Sequence, residues 1–300
     1  MAATHADEGS EPIRAARSAL RVERRRVVDE REAFRAFRGR VSSIPDESAC
    51  ADPADSAGIG GPGGTRAPGG ARGGFGGATD GGVGLGGPAT PSGSRLVAVR
   101  DAYRSTVMSV PHYEAEYDDT YERSLAEEFG PELAYALTRT NCFREEYKRS
   151  LLSAVETAVQ KREAFLDALK SEVESVERAR SRLDPVREEI AAIDEELGGD
   201  GEREAGRDDG DGATADFGAL DACRTRTETL REDCDRIAAR RQRVLADHER
   251  RLALSEDLDL PAYCYQDLDV TYPVLAAVGA VGDRLDTLRR RIEREMGRAR

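Results

Sequence analysis

An apolar repeat of alternating three- and four-residue steps runs twice through the second half of this chain and limits what it can fold into. Leu152, Val155, Val159, Arg162, Leu166, Leu169, Val173, Val176, Arg180 and Leu183 carry it first, and Val186, Ile190, Ile193 and Leu197 continue it. Leu220, Cys223, Thr227, Leu230, Cys234, Ile237, Arg241, Val244 and His248 carry it again. Only an α-helix brings residues at this spacing onto one stripe, and a lone stripe must be covered. The acidic, glycine-rich segment 198–216 joins the two runs, so they are expected to pair as an antiparallel hairpin. Pro185 and the consecutive steps of three from Arg180 to Val186 predict a kink near Asp184.

The other segments fit around that hairpin. Ile13, Leu20, Val27 and Phe34 recur every seven residues, after Ser10 as a cap and Pro12 in the first turn, which predicts an amphipathic Arg/Glu helix within 1–41. Of 30 glycines, 17 lie between Gly58 and Gly93, so 42–94 reads as a disordered Gly/Pro-rich linker. Short helices follow within 95–140: one ending near Pro111, one over Glu114 to Phe129, and one from Pro131 through Leu137. Long helices are expected over 143–197 and 217–255, then a crossover and a last helix over 256–298, starting at Pro273. The fold expected is all-α, an elongated helical bundle built on a long kinked antiparallel coiled-coil hairpin with disordered Gly-rich linkers. Its helical domain is 95–300.

Composition narrows the function. The chain carries 45 Lys plus Arg against 58 Asp plus Glu, a net charge of −13, and only Lys148, Lys161 and Lys170 are lysine. An acidic, arginine-rich, lysine-poor balance resembles that of cytoplasmic proteins of halophilic archaea, where charge acts mainly through solubility. No stretch approaches the roughly 18 apolar residues that a membrane span requires. The first thirty residues carry charges throughout, so no signal peptide is expected and the cytoplasm is the expected location. Five cysteines at irregular spacing, without CxxC, argue against a disulfide or zinc framework.

No catalytic motif stands out, so no enzyme activity, catalytic residue, cofactor, metal site or small-molecule substrate is expected. Gly58 to Gly63 matches GxGxxG formally but lacks the flanking strand and helix. His112 with Glu114, Glu116, Asp118 and Asp119 offers donors for a divalent metal, but a helix start with acidic first-turn residues is the better account of them. His248, Arg162, Arg180 and Arg241 occupy seam positions and read as register-setting residues. Cys223 and Cys234 read as buried hydrophobes, and Cys264 as the thiol best placed to react. Tyr113, Tyr117 and Tyr121 recur every four residues, and with Tyr263 and Tyr265 they form the candidate partner-binding patch.

Val110-Pro111-His112-Tyr113, Ala126-Glu127-Glu128-Phe129-Gly130-Pro131-Glu132-Leu133, Tyr263-Cys264-Tyr265 and Thr271-Tyr272-Pro273-Val274-Leu275 resemble turns and core strips of a family of uncharacterised haloarchaeal helical, coiled-coil proteins carrying a domain of unknown function. That resemblance implies habitat and helical fold, and no activity. The expected function is a non-catalytic structural or regulatory coiled-coil adaptor with a protein partner or self-association. Two alternatives are a DNA-associated regulator using arginines of the first and last helices, among them Arg284, Arg289, Arg290, Arg291, Arg294, Arg298 and Arg300, and a metal or ligand sensor. Interleaved acids and the salt sensitivity of phosphate contacts weigh against nucleic acid.

Overall fold

A computed structural model describes residues 10–46, 94–198, 217–253 and 259–299. These residues are helical and contain no strand, in the order α1 (Glu11–Ser43), α2 (Ser94–Arg104), a 3-10 turn (Val107–Ser109), α3 (Tyr113–Glu116), α4 (Tyr121–Phe129), α5 (Pro131–Arg139), α6 (Glu145–Glu196), α7 (Phe217–Ala253), α8 (Leu260–Cys264) and α9 (Pro273–Arg298). The all-α expectation holds. The expected linker and most of the acidic loop lie outside the described residues.

They form two compact units, with the boundaries inside α1 and α6. The first unit takes the described residues up to Val28 and from Arg162 onward. Its core gathers Ile13, Leu20 and Val27 of α1, Leu169, Leu183, Ile190 and Ile193 of α6, Leu220, Cys234 and Ile237 of α7, and Val281, Leu285 and Ile292 of α9. Polar pairs set the helix directions. Glu196 meets Arg226, Glu189 meets Arg226, Glu172 meets Arg241 and Ser171 meets His248, so α7 runs antiparallel to this part of α6. Helix α7 packs along α9 and touches α8. Helix α6 continues through Pro185, whose missing N–H deprives Ser181 of the usual donor to its carbonyl.

The second unit spans residues 29–161. Phe34, Phe37 and Val41 of α1 pack with Val99 and Tyr103 of α2, Leu125 of α4, Leu137 of α5, and Leu151 and Val155 of α6. Phe37, Tyr103 and Phe129 meet with ring centroids 5.1 to 6.3 Å apart. Phe37 and Tyr103 are fully buried, and each such side chain contributes about 1.5 to 3 kcal/mol.

One expected element is corrected. The sequence predicts one helix over Glu114 to Phe129, but α3 ends at Glu116, Asp118 turns left-handed at φ 41°, and Thr120 starts α4 by accepting the Arg123 amide. Asp, Asp and Thr in succession favour side-chain capping over helix continuation. The next break is as expected: Gly130 at φ 88° ends α4, and Pro131 opens α5. The crossover also contains a helix the sequence did not suggest, α8, capped by Asp259 and opened by Leu260 and Pro261.

Candidate functional site

In the first unit the heptad selects Val173, yet Val173 is 37% exposed and its neighbour Glu172 is fully buried. Burial alone would expel a carboxylate, and its partners explain why this one stays. Arg241 clasps it with two bonds, Nη2 to Oε1 at 2.5 Å and Nη1 to Oε2 at 2.8 Å, and Nη1 also donates to Ser175 Oγ at 3.0 Å. The Tyr265 hydroxyl donates to Oε1 at 2.6 Å. His248 lies with Nδ1 3.6 Å from Oε2 and Nε2 3.1 Å from Ser171 Oγ. Burial opposes ionisation of Glu172, but the hydrogen bond and charge of Arg241, followed by Tyr265 and His248, hold its carboxyl below the usual range. Burial and the Glu172 charge push the Tyr265 hydroxyl far up.

Two of the five singled-out tyrosines therefore serve this unit differently. Tyr265 is a core residue, 1% exposed. Tyr263, on α8, stacks edge-on against Phe165 at 5.6 Å and donates its hydroxyl to Glu23 of α1 at 2.9 Å, while 40% of the residue faces solvent. Between them Cys264 is buried, and burial, then the charges of Glu23 and Glu172, push its thiol far up. The cysteine best placed to react by sequence is therefore held as a thiol, and the thiolate is the nucleophile. Cys234 is likewise pushed up to about 11 by burial.

In the second unit, Tyr113 and Tyr121 are each 7% exposed and belong to the packed interior, with the Arg104 guanidinium 5.8 Å above the Tyr121 ring. Tyr117 is 44% exposed. The break between α3 and α4 removes the shared helix face expected for these three. Tyr117 donates its hydroxyl to Glu30 Oε1 at 3.0 Å, and His112 Nε2 lies 3.1 Å from the same oxygen. His112 thus faces Glu30 rather than the carboxylates that follow it. Among the described residues, no group of three or more His, Cys, Asp or Glu could hold a metal ion. Cys142 is disulfide-bonded, while Cys223, Cys234 and Cys264 are free.

Sequence reasoning missed Glu172, Glu23 and Glu30. Glu172 and Glu23 are carboxylates at buried positions of amphipathic helices, and only the cationic or hydroxyl partner reveals them. Arg241 on the seam was the available signal, because a buried guanidinium calls for a buried acid.

Fold and site together define a class: an all-α helix-packing protein with a buried, charge-paired cluster around Glu172. The chain belongs to the family described as a domain of unknown function, DUF7260, whose model matches residues 11–289. Neither the curated proteins nor the solved structures provide a match to it. No helix among the described residues is long and apolar enough to cross a membrane.

Proposed function

We propose that the chain is a non-catalytic interaction protein, a structural or regulatory helical adaptor acting in the cytoplasm. The observation that carries this reading is the pair of tethered tyrosines. Tyr117 and Tyr263 each expose a ring while a carboxylate of α1, Glu30 or Glu23, holds the hydroxyl. A ring fixed in this way has less rotamer freedom to lose on contact, and tyrosine is enriched at binding hot spots. The apolar stripe of α1 does not itself call for a partner, because Ile13, Leu20, Val27 and Phe34 are buried within the chain.

The charge pairing ranks a DNA-associated role lower. Arg17, Arg35 and Arg38 of α1 pair with Glu177, Glu32 and Glu156, and Arg289, Arg291 and Arg298 of α9 with Glu293, Asp194 and Glu295. Guanidiniums occupied by carboxylates release fewer counterions on meeting phosphates. The test is affinity capture of the full chain in molar potassium chloride, with light scattering on the eluate. The adaptor reading expects a stoichiometric protein partner or a defined oligomer. A monomer that captures nothing, or co-purifying nucleic acid that persists at high salt, overturns it.

A further inference from the structure

A pocket of about 20 Å³ opens in the first unit between α6 and α7, with room for one occupant little larger than a water molecule. Four arginines line it, Arg178 and Arg182 of α6 and Arg240 and Arg241 of α7, against an apolar wall that includes Ala179 and Ile237. No acid is among the described residues of its lining.

Two of the four guanidiniums are answered outside the pocket. Arg178 meets Glu174 of the preceding turn at 3.5 Å, and Arg241 clasps Glu172. Among the described residues, neither Arg182 nor Arg240 has a carboxylate partner. The sequence shows why. Positions three and four away along the helix hold Arg178, Ala179, Pro185 and Val186 around Arg182, and Arg236, Ile237, Arg243 and Val244 around Arg240. These are the neighbours that could pair with an arginine on a helix, and none of them is acidic. In a chain with 58 acids against 45 bases, two such arginines on one pocket stand out. Arg241 supplies an independent observation. Its side chain is only 2% exposed, yet its Nε has no hydrogen-bond partner among the described residues. A buried donor in that state calls for a water or an ion.

We infer that this pocket binds one chloride ion, held by the guanidiniums of Arg182 and Arg240. Size and hydration select the anion. A phosphate carries four oxygens about one centre and exceeds the space, whereas chloride is a single sphere slightly larger than water. Fluoride is small enough but holds its water tightly; chloride sheds it more readily and matches the weakly hydrated guanidinium. The apolar wall lowers the local dielectric and strengthens each N–H to chloride bond. The site shares no residue with the exposed tyrosines and goes beyond the adaptor reading, so either can fail without the other.

The test is the chloride NMR line width when potassium chloride is added to the full chain in potassium gluconate at fixed ionic strength. The parent chain, Arg182→Gln, Arg240→Gln and, as a control, Arg243→Gln, exposed on α7 and outside the lining, are compared. Expected are broadening that saturates, reversal by bromide at lower concentration than by phosphate, binding weakened about tenfold by Arg182→Gln and by Arg240→Gln, and no change with Arg243→Gln. Both lining variants alter exposed residues; should one lose its helical signal, the other decides, and should both, saturation and the order of displacement in the parent decide. Broadening that does not saturate overturns the inference. So does displacement by phosphate before bromide, parental affinity in both lining variants, or an equal loss with Arg243→Gln.

Discussion

Glu172 sits one position before the residue that the heptad selects, and its neighbourhood sets two expectations. Arg241→Met strips the clasp and leaves a buried carboxylate with only hydroxyl and imidazole neighbours, which costs about 3 to 5 kcal/mol. The double variant Glu172→Met with Arg241→Met removes both charges and recovers most of that loss, as denaturant midpoints will show. Because the folded state holds the Glu172 carboxyl below its usual value of 4.5, the unfolded chain binds its proton more readily. This contribution is fully present above that value and disappears as pH falls through the folded value. Glu172→Gln therefore flattens the acid limb of a stability–pH curve; an unchanged limb excludes Glu172 as its source. Heptad reasoning found Arg241 and His248 on their seam yet chose Val173, because spacing registers apolar character and cannot see that three partners converge on the acid beside it.

At the scale of helices, periodicity was most informative where packing is continuous. In α7 the expected stripe from Leu220 to His248 is the buried one, with Val244 only partly covered. It failed at α3 and α4, where Asp118 and Thr120 interrupt an otherwise helical pattern through local hydrogen bonding. It was also silent about α8, too short to show a period. Helix α1 is where element and stability meet, since Leu20 is fully buried in the first unit. Leu20→Ala should cost about 2 to 5 kcal/mol, the larger figure applying if the surrounding side chains do not close the space. A loss below about 1 kcal/mol by denaturant unfolding would show that α1 contributes little to that core.

Across the whole molecule, each unit has its own apolar core and its own α1 carboxylate bonded to a tyrosine, through Glu23 and Tyr263 in one and Glu30 and Tyr117 in the other. The five tyrosines divide into three that build cores and two that face solvent, a division that one-dimensional spacing could not foresee because burial depends on which helices later cover each ring. The adaptor account rests on the two exposed rings. Its most direct test is quantitative capture of partner, or self-association by light scattering, for the parent chain against Tyr117→Ala, Tyr263→Ala and the matching Phe variants. The account predicts that the Ala variants lose about tenfold or more in binding while folding normally, and that the Phe variants, which keep the ring and lose the tether, fall between. Binding by the double Ala variant equal to that of the parent contradicts it.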